Sequence, residues 1–168
     1  MVRVALSLLL AVGLAGCVTV ERDISAEATR AGTTVIPMTI GGTPRQMVNA
    51  IRAQNGLPPL AMSAHLNRAA AAHASDMARN DYYSHTSRNG ATVRDRVEAT
   101  GYGSCLRAEN IAWGQDTAEH VTRVWINSPG HRANILNRKA THMGFAGSRN
   151  PDGRYDPLWV MVIATRNC

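Results

Sequence analysis

Lysine is almost absent from this sequence of 168 residues: Lys139 is the single lysine, and arginine carries the rest of the positive charge. After Arg3 the arginines are scattered from Arg22 to Arg166 and never form a run, so the formal net charge of +6 is not concentrated in one segment. Domains that bind nucleic acid usually cluster their basic residues along one face or helix. We therefore expect no nucleic-acid partner, and only a general attraction to anionic lipid or cell-wall polymers.

Long apolar runs and several catalytic motifs are also missing. No apolar run reaches the roughly 20 residues that a membrane-spanning helix needs. The sequence contains no His-Glu-x-x-His, Cys-x-x-Cys or Gly-x-Ser-x-Gly motif, which excludes the commonest patterns of zinc peptidases, thiol oxidoreductases and serine hydrolases. It has no internal repeat and no low-complexity segment, and its length predicts one domain with a short appendage.

The N-terminus has the organisation of an export signal. Arg3 precedes an apolar run over 4–14, and small residues follow it. A charged start, an apolar stretch of about 7–15 residues and a small-residue cleavage site are typical of a signal peptide, predicted here over 1–16. The stretch Leu14-Ala15-Gly16-Cys17 resembles a bacterial lipobox, so we expect Cys17 to be lipidated and to anchor the chain to the membrane. The alternative is an ordinary secretory signal with an incidental cysteine.

The cysteine count adds a second expectation. The sequence has three cysteines, and if Cys17 carries lipid, Cys105 and Cys168 remain in a compartment that permits disulfides. We predict that these two form a disulfide, which would contribute roughly 2–4 kcal/mol by restricting the unfolded chain.

The rest of the chain divides into a tether and a domain. Residues 17–42 mix charge, threonine, glycine and proline without helical periodicity and are interpreted as a tether, with a short extended piece over 34–40. The domain is predicted over 43–168. Capping residues and apolar spacing predict helices over 43–55, 63–80 and 92–100, one from Asp116 to before Pro129, and one after the Ser-Pro-Gly-His turn.

Short alternation of apolar residues predicts a strand over 105–113, and two further strands are predicted over 142–149 and 155–166, joined by the turn Asn150-Pro151-Asp152-Gly153. Helices then flank a small, mostly antiparallel sheet, which predicts an α+β or three-layer α-β-α domain. The helix that starts at Asp116 is expected to turn Val121, Val124 and Trp125 inward. His73 lies on the apolar stripe of the second helix, where a histidine is more often a hydrogen-bonded core residue than a ligand.

Three polar clusters stand at the ends of predicted elements: Ser84-His85-Thr86-Ser87, Glu109-Asn110 and His131-Arg132. Side chains at element ends can converge on one cleft. The helix dipole and Arg132 are both expected to keep His131 neutral near pH 7. Two histidines and one carboxylate are enough for a divalent-metal site with an open position. The alternative is a structural network that ties helix ends to the sheet.

Several motifs together resemble the bacterial branch of the CAP superfamily, which includes the cysteine-rich secretory proteins, antigen 5 and the plant pathogenesis-related group one proteins. The resemblance covers about residues 45–166. It implies an α-β-α sandwich with a large central cleft. The motifs are Asn55-Gly56-Leu57-Pro58-Pro59-Leu60, Leu66-Asn67-Arg68-Ala69-Ala70, Tyr83-Ser84-His85-Thr86-Ser87, Gly101-Tyr102, Glu109-Asn110-Ile111-Ala112, Trp125, and Ser128-Pro129-Gly130-His131-Arg132-Ala133-Asn134-Ile135-Leu136.

The resemblance also implies a metal-binding tetrad of two histidines and two glutamates in that cleft. By motif match, His85, Glu109 and His131 take three of the four places, and Ser128 stands where the second glutamate is expected. The missing carboxylate implies that zinc or another divalent cation would be weakly bound. The remaining cleft residues are expected to be Ser84, Ser87, Asn110, Ser128 and Arg132, with Arg132 pairing with a carboxylate at the helix start or contacting substrate.

Two functions follow from this resemblance. The first is an envelope-anchored binding protein, a monomer whose cleft holds cell-wall glycan, a lipid or another envelope protein without turnover. The second is a metal-assisted hydrolase of peptide or cell-wall bonds, with Glu109 as ligand or general base. Val18, which follows the lipobox cysteine, is not acidic, and by resemblance to Gram-negative lipoproteins this favours the outer membrane if the host has one.

Overall fold

The computed structural model describes residues 42–166. The predicted signal peptide, Cys17, the extended piece over 34–40 and Cys168 lie outside these residues, so the lipidation and the Cys105–Cys168 disulfide stay predictions. No helix in the described part is long and apolar enough to cross a membrane. The elements there are α1 (Pro44–Gln54), β1 (Ala61–Met62), α2 (Ala64–Arg79), α3 (Val93–Glu98), β2 (Leu106–Trp113), α4 (Ala118–Asn127), α5 (Pro129–Ile135), β3 (His142–Ser148) and β4 (Leu158–Thr165).

The strands form one sheet in the order β1-β3-β4-β2. Strands β3, β4 and β2 are antiparallel neighbours, and Glu109 of β2 lies opposite Val162 of β4. The sequence-based prediction missed β1, which pairs in parallel with β3 through Ala61 and Met62. Two residues are too short to show an alternating pattern. The α+β prediction with a small, mostly antiparallel sheet is confirmed.

The alternation of β4 separates two cores, one on each face of the sheet. Its even-numbered residues Leu158, Val160 and Val162 pack with the apolar faces of α2 and α3. Its odd-numbered residues Met161 and Ile163 pack with α1, α4 and α5 on the opposite face. Successive side chains of a strand point to opposite faces, so a central strand covered on both sides is apolar throughout. The result is the predicted α-β-α sandwich.

The helices begin largely where their capping residues predict. Thr43 caps α1 in a capping box with Gln46, and the Ser63 hydroxyl accepts from the backbone N–H at the start of α2. The prediction that Asp116 caps α4 is wrong by one residue, because the Thr117 hydroxyl accepts from the His120 N–H instead. The prediction of an inward Val124 is also wrong, since Val124 is exposed while Val121 and Trp125 are buried.

Arg52 of α1 is fully buried, which the apolar spacing of its helix does not indicate. Its Nε donates to the carbonyl of Pro58 at 2.8 Å, and its Nη1 donates to the carbonyls of Ile135 and Asn137 at 2.8 and 3.0 Å. Burial lowers the pKa of Arg52. The guanidinium therefore joins α1 to the chain that follows α5.

Helix α2 approaches β3 very closely at Gly144. A Cβ atom at Gly144 would lie 2.1 Å from the backbone carbon of Leu66, which no side chain could occupy without a shift of the helix. The contact is reinforced by Asn67, whose Oδ1 accepts from the Phe145 N–H at 3.0 Å. Close packing of this kind fixes the position of α2, and with it the loop that α2 delivers to the candidate site.

Candidate functional site

Glu109 lies at the centre of a buried ion-pair network on the α2 side of β2. Its side chain is 2% exposed, and its Oε1 accepts from His85 Nδ1 at 2.8 Å. Its Oε2 accepts from Arg96 Nη2 at 2.8 Å, and the Arg96 side chain is 8% exposed. His73 Nε2 lies 3.9 Å from Oε1. The predicted proximity of His85 and Glu109 is therefore present, and both carboxylate oxygens are engaged.

Arg96 was not identified as a site residue from the sequence. It lies on α3 next to the inward-facing Val97, and its Nη1 donates to the Ser87 hydroxyl at 3.2 Å and to the Ala91 carbonyl at 2.8 Å. Its Nη2 also donates to the His85 carbonyl at 2.9 Å. In the sequence, the position of Arg96 beside the inward-facing Val97 is the one signal that could have indicated that this arginine is buried. Arg96 thus holds both the carboxylate and the loop that carries His85.

His73 of α2 also contacts the loop that carries His85. The ring is fully buried, with its Nε2 2.9 Å from the Ser84 carbonyl and its Nδ1 3.5 Å from the Ser87 hydroxyl. Burial is the largest cause of a lowered pKa of His73, while the charge of Glu109 acts to raise it. The prediction of a buried, hydrogen-bonded core histidine is confirmed.

Asn110 points to the opposite face of the sheet, because adjacent strand residues alternate. It is fully buried, and its Nδ2 donates to the His131 carbonyl at 3.1 Å. Its Oδ1 accepts from Asn134 Nδ2 at 2.8 Å. Glu109 and Asn110 are thus consecutive in sequence but support different elements: Glu109 the loop of His85, and Asn110 the helix α5 of His131.

His131 lies in the first turn of α5 and shares a hydrogen bond of 2.9 Å between its Nδ1 and the Ser128 hydroxyl. Ser128 is the N-cap residue of α5, but its side chain makes no capping hydrogen bond. The pKa of His131 is lowered, as expected, although the causes differ: burial comes first and the charge of His85 second. The histidines are therefore close enough to interact electrostatically.

Arg132 does not make the predicted ion pair. Its Nη1 donates to the Ile126 carbonyl at 3.4 Å, and none of the ion pairs among residues 42–166 includes it. It joins the start of α5 to the end of α4 through the backbone instead. Since the guanidinium bends back to its own helix pair, the structure favours a structural role over contact with substrate.

The protonation of His131 can be tested directly. We expect its imidazole to titrate below the usual histidine pKa of 6.5. The measurement is an NMR titration of the ring Cε1–H signal in the wild type and in the His85→Asn variant. Removing the charge of His85 is expected to raise the pKa of His131 only partly, because burial is the larger cause. A wild-type pKa at or above 6.5 would contradict this prediction.

The predicted metal ligands do not fit a divalent-cation site in this arrangement. Both oxygens of Glu109 already accept from His85 and Arg96, and Ser128 supplies no second carboxylate. Among the described residues, no three His, Cys, Asp or Glu side chains are placed to hold a metal ion. A cation at Glu109 would also lie beside the positively charged guanidinium of Arg96, which donates to Glu109 Oε2 at 2.8 Å and is held by three further hydrogen bonds.

Some of the other predicted cleft residues only support the structure, and others lie at the surface where a ligand could contact them. Ser87 and Asn110 are buried, and the Ser84 hydroxyl accepts from the Thr86 N–H at 3.1 Å within its own loop. Three residues remain for contact with a ligand, and we call them the histidine surface: His85, whose side chain is 60% exposed, and the half-buried Ser128 and His131. Two surface depressions of about 390 Å³ each lie elsewhere and contain none of these three.

Together these features describe one class of domain: an α-β-α sandwich in which a histidine loop and a helix-start histidine are held by two consecutive residues, Glu109 and Asn110, of an edge strand. The family model described as the cysteine-rich secretory protein family, CAP, matches residues 45–164. The chain belongs to this family.

Similar proteins come from several bacteria. The chain is 37% identical over 115 residues to the uncharacterized protein YkwD of Bacillus subtilis, covering 67% of this chain and 45% of that protein. It is 33% identical over 103 residues to the uncharacterized membrane protein YlbC of the same organism, covering 61% of this chain and 30% of that protein. The chain thus spans less than half the length of these two relatives.

Solved structures share the fold. An extracellular protein containing an SCP domain from Bacillus anthracis superposes with a TM-score of 0.64 at 32% identity, covering 72% of this chain and 38% of that one. An outer surface protein from Borrelia burgdorferi gives a TM-score of 0.64 at 22% identity, covering 71% of this chain and 87% of that one. At 22% identity the second comparison concerns the fold alone.

Proposed function

We propose that this chain is an exported, envelope-associated CAP protein that binds a ligand or partner at the histidine surface without chemical turnover. One observation carries the proposal: Glu109, the acidic residue predicted for the site, is 2% exposed, and each of its two oxygens already accepts a hydrogen bond, from His85 and from Arg96. A general base needs a free oxygen within hydrogen-bond reach of the proton that it takes. Glu109 instead has the environment of a structural carboxylate.

Ligand binding needs only free polar atoms at the histidine surface and does not need a general base. The rings of His85 and His131 are both held in place through Nδ1. Among the described residues, the Nε2 atoms of these two histidines make no hydrogen bond. Each Nε2 can donate to or accept from a ligand while the Nδ1 contacts keep the rings in place. Preorganised polar groups of this kind suit recognition, because little side-chain entropy is lost on binding.

Export and anchoring belong to the same proposal. The Bacillus anthracis neighbour is an extracellular protein, and one Bacillus subtilis relative is a membrane protein by name. Together with the signal-like segment over 1–16, these relatives support export, with a lipid on Cys17 as the anchor. In a Gram-negative host the proposed destination is the outer membrane.

The test is co-sedimentation of the full chain, in mild detergent, with envelope fractions that separately contain wall glycan, lipid vesicles or membrane proteins. We expect His131→Ala to weaken binding to one fraction by about tenfold, as expected when one or two ligand hydrogen bonds are lost, whereas attachment to vesicles through the lipid on Cys17 is the same in both proteins. His120→Ala on the exposed start of α4 is the matched control and is expected to bind normally.

The same fractions decide whether the protein is an enzyme. They are incubated with the wild type and examined chromatographically for released peptide or glycan fragments, and none are expected. Fragments that the wild type releases and the Glu109→Gln variant does not would contradict binding without turnover. Equal binding of wild type and His131→Ala would contradict the role of the histidine surface.

A further inference from the structure

Three aromatic rings come together at the end of β2, in a group that we call the aromatic platform (Tyr83, Trp113 and Tyr155). The Tyr83 and Tyr155 rings stack with centroids 5.9 Å apart, and Trp113 meets Tyr155 edge-on at 5.4 Å. Each ring comes from a different segment: Tyr83 from the loop after α2, Trp113 from the end of β2, and Tyr155 from the loop before β4.

The platform leaves apolar surface open to solvent. Trp113 is 44% exposed and Tyr83 38% exposed, whereas Trp125 and Tyr102 are buried in the two cores. Aromatic side chains contribute a large stabilisation when buried, so two exposed rings grouped around the half-buried Tyr155 indicate a surface against which a ligand can pack.

The platform is held in place before any ligand arrives. The Tyr83 hydroxyl donates to the Ile111 carbonyl at 3.0 Å, and burial of this end of the ring raises the pKa of Tyr83. The loops of Tyr83 and Tyr155 are tied together where the Arg154 N–H donates to Asp81 Oδ1 at 2.7 Å. Rings that are already held in place lose little entropy when a ligand stacks on one of them.

The platform continues toward the histidine surface along β2. Glu109, Ile111 and Trp113 share one face of the strand, and four steps of about 3.3 Å separate Glu109 from Trp113 by roughly 13 Å. His85, which is bound to Glu109, lies two residues after Tyr83 in the same loop. An extended ligand lying along the β2 edge would touch the aromatic platform and then His85.

The rim of the platform is polar. Asp81 and Arg154 are exposed beside it, and the Trp113 indole N–H makes no hydrogen bond within residues 42–166. An acyl chain has no polar groups along its length, so it would make no favourable contact with these charges or with the indole N–H. A sugar ring has an apolar face of C–H groups for stacking and equatorial hydroxyls for a polar rim, and this matches both features of the platform.

We propose that the aromatic platform binds the pyranose rings of a glycan strand, which extends along the β2 edge to the histidine surface. This inference rests on the proposed function and names its ligand class. The aromatic faces supply stacking, the indole N–H and rim charges contact hydroxyl groups, and the histidines bind the next sugar along the strand.

The test uses the full chain in mild detergent with purified peptidoglycan sacculi, freed of protein and lipid, and with soluble oligomers of N-acetylglucosamine. We expect the wild type to sediment with sacculi, and Trp113→Ala to weaken binding by about tenfold, comparable to the loss of one stacked ring. Trp113→Phe keeps an aromatic face and is expected to retain most of the binding. Met62→Ala, an exposed apolar residue on the opposite sheet edge, is the matched control.

The outcomes separate the two proposals. If His131→Ala weakens binding to an envelope fraction while Trp113→Ala does not, the proposed function stands and the glycan platform is refuted. Failure of the wild type to sediment with sacculi would also refute it, whether or not the lipid on Cys17 attaches the chain to vesicles of phosphatidylethanolamine and phosphatidylglycerol. Equal loss in Trp113→Phe and Trp113→Ala would overturn the stacking role, and oligomers that compete with sacculi for the wild type would support it.

Discussion

Replacing Arg96 by alanine is expected to lower the free energy of unfolding by about 3–5 kcal/mol, the usual cost of leaving one member of a buried ion pair behind. The Glu109 side chain is 2% exposed, and Arg96 is the guanidinium that it contacts, at 2.8 Å. Without Arg96, the carboxylate keeps His85 as a charged partner only when His85 is protonated. The measurement is urea denaturation followed by circular dichroism at neutral pH.

Arg94→Ala is the matched control on the same helix. Arg94 is exposed and pairs with the exposed Glu98 at 3.4 Å, so its loss is expected to cost less than about 1 kcal/mol. The double variant Arg96→Ala, Glu109→Gln is expected to recover part of the stability, because the uncompensated charge is gone. Arg96→Ala and Arg94→Ala variants of equal stability would show that the buried pair does not hold the loop.

Replacing Arg52 by alanine is the second large change. We expect a loss of about 3–5 kcal/mol, because buried carbonyls left without a donor cost about 1–3 kcal/mol each. The carbonyls of Ile135 and Ala140 are buried and accept from the Arg52 guanidinium at 2.8 and 3.4 Å. The free energy of unfolding is measured in the same urea assay, with near-UV circular dichroism to follow packing around Trp125.

Arg45→Ala provides the comparison for Arg52. Arg45 belongs to the same helix α1 but is exposed, so its replacement is expected to change stability by no more than about 0.5 kcal/mol. If Arg52→Ala were equally mild, water or neighbouring donors would be satisfying the carbonyls, and the joining role of Arg52 would be wrong.

Arg96 and Arg52 hold in place the two segments that carry the histidines of the candidate site. Arg96 holds the loop of His85 against β2, and Arg52 holds the chain after α5, the helix that carries His131. Histidines on both sides of the surface are therefore positioned by buried cations. Such preorganisation suits a binding site, since the ligand does not have to order the loops.

Most of the fold could be predicted from local patterns. Thr43 and Ser63 mark helix starts because their side chains satisfy free N–H groups there, and this interaction needs no distant partner. The continuous apolar run of β4 is likewise a local pattern. Val124 was placed wrongly because apolar spacing alone cannot say how wide the buried face of α4 is.

The candidate site could be predicted only in outline. His85 and Glu109 were expected together by motif, and they are in contact. Arg96 was missed because the one signal of its burial, its position beside the inward-facing Val97, does not by itself distinguish a buried arginine from one that stays in water. Because both oxygens of the buried Glu109 accept hydrogen bonds, we propose a structural role for it in place of the expected metal ligand or base.

Local sequence patterns are enough to establish most helices and strands, the three-layer class and the family motifs, because capping and apolar periodicity act over a few residues. The role of Glu109 depends instead on tertiary packing, since its partners Arg96 and His85 are 13 and 24 residues away. The same is true of the burial of Arg52, which donates to carbonyls 83 and 85 residues further along. A charge becomes structural when its partners come from separate elements, and their meeting depends on how those elements pack.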